Sequence, residues 1–286
     1  MEFIYGPALG LAYVVLGLIV LILAKIFKDL LTPFAIDEEL TEKDNHAVGL
    51  AMTGYFFGAM IIFLGASIGP EFAEDITLGD LTRTMGIDFL FAMAGIIALN
   101  IGRLVVDKLV LYQFSTVKEI VNDGNVGTGA VEFGSYVATG LIIAGALHGE
   151  GGGALTALVF FALGQVVLVI FGVFYQWVTK YDIHAEIERD NAAAGVALGG
   201  NMVAVGILLL KATSGDFVDW SSNLIDFGYY AVLGFITLMI LRKVTDWVFL
   251  PGTTIAHEIA TDQNLNASWI ESSVAIGMAS VIIFML

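Results

Sequence analysis

One pattern recurs four times along the chain and governs how it can fold. Each copy has a Glu followed by Leu or Ile, then a polar or acidic stretch, then an Asn that opens an apolar segment with a small residue four positions on. The copies are Glu39-Leu40 with Asn45 and Gly49, Glu119-Ile120 with Asn125 and Gly129, Glu186-Ile187 with Asn191 and Gly195, and Glu258-Ile259 with Asn264 and Ser268. Upstream of each lies a long apolar segment with a Gly at matching distance: Gly17, Gly95, Gly164 and Gly234. Eight residues after those glycines stand Lys25, Arg103, Gly172 and Arg242, and four further on stand Asp29, Asp107, Gln176 and Asp246. Self-similarity at this period means that one helix–linker–helix unit is repeated four times.

The apolar segments decide the solvent. A helix that crosses the hydrocarbon core needs about 20 mostly apolar residues. Eight such stretches occur, near residues 6–28, 46–68, 86–108, 126–148, 153–178, 192–212, 225–248 and 266–286. They are apolar all round, in a chain that is 58% apolar and only 14% charged. That excludes a water-soluble helical bundle, which needs polar outer faces. The first stretch is read as a span rather than a signal peptide. Its flank carries Glu2 instead of basic residues, and no small-residue cleavage site follows it. With no Cys, disulfides and thiolate chemistry are excluded.

Lys25, Lys28, Lys43, Arg103, Lys108, Lys118, Lys180, Arg189, Arg242 and Lys243 flank the odd-numbered connections. Only Arg83 and Lys211 lie at the other ends. The positive-inside rule then puts the odd connections in the cytoplasm and both termini outside. The outer loops are acidic, with Glu71, Glu74, Asp75 and Asp80 in one and Asp216, Asp219 and Asp226 in another. No basic, aromatic-rich groove marks a nucleic-acid partner.

The four copies alternate in kind. The interval from Asp29 or Gln176 to the following Glu is ten residues, and from Asp107 or Asp246 it is twelve. Units two and four share a Glu seven residues after the Asn, Glu132 and Glu271, where units one and three have Met52 and Leu198. The expected fold is an all-α membrane protein with eight transmembrane helices. Its four helix–linker–helix repeats form two parallel four-helix halves, residues 1–149 and 150–286, with a seam at Gly149-Glu150-Gly151-Gly152-Gly153. Each half has an even number of spans, so both have the same orientation, and an inverted repeat is disfavoured. The apolar cytoplasmic linkers read as interfacial segments or as continuations of the odd helices, broken at Pro33 and Pro251. The acidic run 37–44 reads as a solvated linker, without calcium-loop spacing.

The repeated hairpin resembles the bacterial inner-membrane family called domain of unknown function 350, also uncharacterised protein family 0719. The resemblance covers nearly the whole chain as two consecutive copies. It implies an integral inner-membrane protein without an established activity; the basic residues put both termini on its periplasmic side, and no cofactor is expected. It also implies a neighbourhood of PspA-like membrane-stress proteins and ATP-grasp ligases. It carries over no catalytic residue, and Gly172 and Gln176 depart from the charged pair of the other units.

Several residues could carry chemistry. Asn45, Asn125, Asn191 and Asn264 are expected to cap their helices, with a shared anion or headgroup site as the sharper alternative. The positions nine and thirteen after each Asn are small in every copy: Gly54/Gly58, Gly134/Ala138, Gly200/Ala204 and Ser273/Gly277. Such spacing permits close helix packing. Glu132 and Glu271 lie about 10 Å inside their helices, where a charge is costly and invites a functional reading. Arg103 and Arg242 sit at similar depth in the same units, and Lys25 can pair with Asp29 along one helix turn. A buried structural pair and an ion- or proton-handling site both remain open. Asn100, Gln165 and Asn201 are expected to bond between helices. His46, His148, His184 and His257 lack metal spacing, and no nucleophile–base set marks an enzyme. The reading is a structural or regulatory component of the bacterial inner membrane linked to envelope stress, with lipid and homo-oligomer as further partners. The alternative is a channel or transporter using Glu132 and Glu271 near an axis between the halves.

Overall fold

The computed structural model describes residues 2–68, 77–149 and 151–285, with side chains from residue 8 onward. Glu71, Glu74, Asp75 and Glu150 lie outside the described residues. Twelve helices and no strand occur among those described. Eight are long: α1 Glu2–Leu31, α3 His46–Ser67, α4 Leu78–Leu109, α6 Val126–Leu147, α7 Ala154–Val178, α9 Ala192–Thr213, α10 Trp220–Val248 and α12 Leu265–Met285. Each is long and apolar enough to cross a membrane. Between the long helices of every unit sits a six-residue helix: α2 Ile36–Thr41, α5 Thr116–Val121, α8 Ile183–Glu188 and α11 Ile255–Ala260.

Those short helices correct the sequence reading of the linkers. The acidic run 37–44 is not simply a solvated linker. Most of it is α2, and Glu39 within it is buried. The odd helices do not continue through the linkers. The chain turns at Pro33 after α1 and at Pro251 after α10, as proline's missing N–H and fixed φ require.

The helices form two rows. The second long helices of the units pack in the order α3, α6, α9, α12, and the first long helices α1, α4, α7 and α10 lie against them. Each odd helix touches the even helix of its own unit, and α4, α7 and α10 also touch the even helix of the preceding unit. In α6 and α9, 78% of the spanning window is buried, against 17% in α1 and 28% in α12. So α6 and α9 form the centre, and units one and four form the rims. The seam between the halves is thus one more step in a continuing row.

Backbone-to-backbone approach makes each step possible. A Cβ on Gly54 would strike the Phe133 backbone, and one on Gly134 would strike the Gly199 backbone. Gly200 plays the same part against Ser272. All three stand nine residues after their Asn. The α6–α9 contact between the halves is close and small-residue, with Gly127, Gly134 and Ala138 facing Gly195, Gly199 and Gly206. Lipid is as apolar as any side chain, so close van der Waals packing of this kind drives helix association in a membrane. In unit four the same face is bare. Ser273 and Gly277 are exposed, which corrects the expectation that this face is packed in every copy.

Candidate functional site

Two constellations repeat through the fold, one at the short helices and one inside the spans. The first begins with the four Asn side chains. Asn45 Oδ1 accepts from the Ala47 and Val48 amides, Asn125 from Thr128, Asn191 from Ala193 and Ala194, and Asn264 from Asn266. The Nδ2 group does two further things. It donates to the motif Glu of its own unit, from Asn45 to Glu39 at 2.9 Å, Asn125 to Glu119 at 3.0 Å, Asn191 to Glu186 at 2.9 Å and Asn264 to Glu258 at 2.7 Å. It also donates to a carbonyl of the next unit: Asn45 to Ile120 at 2.8 Å, Asn125 to Ile187 at 2.6 Å and Asn191 to Ile259 at 2.8 Å.

The physical reason lies in the ends of the short helices. The last carbonyls of a helix have no partner within it, and a buried carbonyl must find one. The Ile of each Glu-Ile pair presents such a carbonyl to the preceding unit. One Asn therefore caps a long helix, fixes a Glu and ties two units together. The Asn is aimed by its neighbour. Asp44, Gly124, Asp190 and Gln263, each immediately before an Asn, all have positive φ. In unit three the Glu-to-Asn spacing is one residue shorter. The chain still returns the Asn191 amide to the Glu186 carbonyl at 3.0 Å, as Asn125 returns to Glu119 at 2.9 Å.

A cation takes the other Glu oxygen in three units. Lys43 Nζ is 2.7 Å from Glu39 Oε1, Lys118 lies 3.8 Å from Glu119, and Arg189 pairs with Glu186. The Lys43 hydrogen bond holds the Glu39 carboxyl below its ordinary range, against the opposing effect of burial. At Glu258 the hydrogen bond from Asn264 acts in the same direction.

The second constellation holds the intramembrane charges. In the first half, Arg103 Nε lies 3.0 Å from Glu132 Oε2, and Arg103 Nη2 lies 3.5 Å from Asp107. Lys28, buried on α1, donates to the Tyr136 hydroxyl and sits over the rings of Tyr55 and Tyr136. Tyr55 and Tyr136 meet edge to face at 5.3 Å, and Tyr55 donates to the Ala24 carbonyl. A cavity of about 30 Å³ borders Lys28, Thr32, Met52, Arg103, Glu132 and Tyr136. In the second half, Arg242 Nη1 lies 3.0 Å from Glu271 Oε1. The same oxygen accepts from Tyr175 at 3.1 Å and from Asn201 at 3.3 Å.

The clusters are built at equivalent positions. Lys28 and Tyr175 each stand eleven residues after the repeat Gly, and Tyr55 and Asn201 each stand ten after the Asn. In both halves the odd unit supplies those two residues and the even unit supplies Arg and Glu. Their contacts differ: in the first half those two residues meet Tyr136, and in the second half they meet Glu271. The family model described as Domain of Unknown Function (DUF350) matches residues 4–147 and again 151–286.

The chain belongs to the DUF350 family. A similar protein is the UPF0719 transmembrane protein of Aquifex aeolicus (strain VF5), 22% identical over 250 residues that span 86% of this chain and 88% of the relative. No solved structure matches the chain.

Each DUF350 copy thus carries one charge cluster, and no residue is shared between the two. Glu132 lies against α4 and Glu271 against α10, in separate halves. The small-residue contact between α6 and α9 occupies the boundary where a common path was considered. The remaining site residues of the sequence reading have local roles. Lys25 bridges Asp29 at 2.9 Å and Asp37 at 2.8 Å, which ties α1 to α2. Asp246 accepts from the Ile255 amide at 2.7 Å, Gln176 accepts from the Ile183 amide at 2.9 Å, and Asp107 accepts from the Thr116 hydroxyl. These three fasten the start of the following short helix, and so the uncharged Gln176 serves as well as Asp. Asn100, Gln165 and Asn201 bond to Tyr55, Thr139 and Glu271 on neighbouring helices.

The sequence reading missed Lys28, Tyr55, Tyr136 and Tyr175 as members of the clusters. Counting from the repeat Gly would have paired Lys28 with Tyr175. Nothing in the sequence pairs Lys28 with Tyr136, 108 residues away.

Proposed function

We propose that this DUF350 protein is a structural component of the bacterial inner membrane, with both termini on the periplasmic side, in which the two charge clusters are ion-pair locks. The supporting observation is that each Glu is held by an Arg of the preceding long helix, and Glu271 by two further helices as well. Glu132 meets Arg103 in a two-oxygen contact. Glu271 meets Arg242, Tyr175 and Asn201 on three helices. Such contacts fix register between helices, a role for which buried polar groups are well suited. The close backbone approach of α6 and α9 favours scaffolding over transport along an axis between the halves. The envelope-stress proteins implied by the family resemblance are the candidate partners, and no enzymatic role is proposed.

A second reading is ion or proton handling at the first-half cluster. The small cavity beside Lys28 and Glu132 favours it. One mutant pair separates the two. Under the structural reading, Glu132→Gln leaves the partly buried Arg103 with Asp107 alone and lowers stability, by at most the roughly 3–5 kcal/mol of a fully buried pair. Adding Arg103→Met restores much of that loss, and liposomes containing the wild-type protein show no more proton or ion flux than empty ones. Wild-type flux that disappears in a well-folded Glu132→Gln protein, without rescue by the double change, overturns the structural reading in favour of the second.

A further inference from the structure

The row of repeats ends without closing. We infer that a second copy of this chain docks head to tail on α12, placing its own α3 where a fifth unit would stand. This rests on the repeat geometry and stands apart from the function proposed above.

The internal steps share one register, counted from the Asn of each unit. The residue at position two meets position four of the next unit: Ala47 with Gly129 and Gly127 with Gly195. Position nine meets position eight: Gly54 with Phe133, Gly134 with Gly199, and Gly200 with Ser272. Position thirteen meets position fifteen: Gly58 with Gly140 and Ala138 with Gly206. The Asn amide then reaches the carbonyl of the next Glu-Leu/Ile pair.

Both halves of this contact are present and unused at the rims. On α12 the onward positions are Asn266, Ser273 and Gly277, all exposed, and a Cβ at Gly277 would meet nothing within 4 Å. On α3 the receiving positions are Gly49, Thr53 and Met60. Thr53 is exposed, and a Cβ at Gly49 would meet only the Leu40 side chain, at 3.7 Å. Among the described residues, Asn264 makes its bond to Glu258 and none to a further unit. The Leu40 carbonyl receives no Asn, unlike its counterparts at Ile120, Ile187 and Ile259.

The shared register therefore places Asn266 against Gly49, Ser273 against Thr53 and Gly277 against Met60 of the next copy, with Asn264 bonded to the Leu40 carbonyl. The contact is heterologous, between different faces of two copies. All four units have the same orientation, so the second copy sits upright in the same membrane. A merely lipid-facing surface has no need of an exposed Asn266, Ser273 and Gly277. Trp269, Met278 and Val281 of α12 are exposed around them.

The chain has no Cys, so disulfide trapping in native membranes reads the contact directly. The pair Thr53→Cys and Ser273→Cys in one chain is expected to give a ladder of linked copies on oxidation. Two differently tagged single variants, co-expressed, are expected to give the mixed dimer only. Adding Gly277→Leu is expected to cut linkage at least tenfold while leaving the unfolding temperature in detergent unchanged. Absence of linkage in a folded double variant overturns the inference. So does Ser273→Cys linking to itself as well as to Thr53→Cys, which means a symmetric contact. Linkage unaffected by Gly277→Leu overturns the register.

Discussion

The residue before each Asn carries a cost that the fold tolerates for the sake of aim. A left-handed residue other than Gly costs roughly 1–2 kcal/mol, yet Asp44, Asp190 and Gln263 adopt that conformation. Only unit two uses Gly, at Gly124. Gln263→Gly is therefore expected to stabilise by about 1 kcal/mol and Gly124→Ala to destabilise by a similar amount, read as shifts in thermal unfolding. The Asn positions were legible in the sequence as caps. Their second bond, across to the next unit, was not, because its acceptor is a main-chain carbonyl with no signature in residue type.

The carboxylates beside those Asn residues set an acid limit. Glu39 is held below its ordinary value, first by the Lys43 hydrogen bond. A depressed carboxyl adds stability that is complete above its unfolded-state value and is lost as pH falls through the folded-state value. Unfolding followed from neutral pH downward is expected to show a shallower acid limb in Glu39→Gln than in the wild type below the ordinary Glu range. Identical limbs would remove Glu39 from the linkage.

At the scale of the element, a glycine's worth depends on which unit holds it. Gly134 and Gly277 both belong to the small-residue pattern seen in the sequence, at positions nine and thirteen. The sequence shows that the pattern repeats but not that the row has an end. Gly134 faces the Gly199 backbone, whereas Gly277 faces open space in the single chain. Gly134→Val is expected to separate α6 from α9 or cost at least the roughly 1–3 kcal/mol of an overpacked core. Gly277→Val is expected to leave single-chain stability within about 0.5 kcal/mol. Detergent-phase unfolding of the two variants gives the comparison. The short helices escaped the sequence reading for a related reason. Six residues are too few to establish a period, and α5, α8 and α11 are held by a neighbouring unit and by Asp107, Gln176 or Asp246, and α2 by Lys25, rather than by their own propensity.

For the whole molecule, eight spans and the two-copy arrangement were legible because length, hydropathy and self-similarity are properties of sequence itself. The two charge clusters were legible only in part. Arg and Glu fall at matching depth along their helices, but Lys28 and Tyr175 enter from another unit. Orientation rests on the ten-to-two distribution of Lys and Arg about the connections. A membrane-impermeant maleimide on intact cells is expected to label Val218→Cys and to spare Lys43→Cys, and the reverse pattern would invert the topology.

The central claim is that each Asn binds its own unit to the next. It is tested most directly by replacing Asn45, Asn125, Asn191 and Asn264 by Ala one at a time, in a Gly277→Leu background kept monomeric in detergent, and measuring unfolding free energy. Asn125 and Asn191 are fully buried, and their loss leaves a Glu oxygen and an Ile carbonyl unpaired, at about 1–3 kcal/mol each. The account predicts losses of roughly 2–5 kcal/mol at Asn125 and Asn191, a similar or somewhat smaller loss at half-buried Asn45, and only the cap's roughly 1 kcal/mol at Asn264. Four equal losses near 1 kcal/mol would contradict it, since each Asn would then serve its own helix alone.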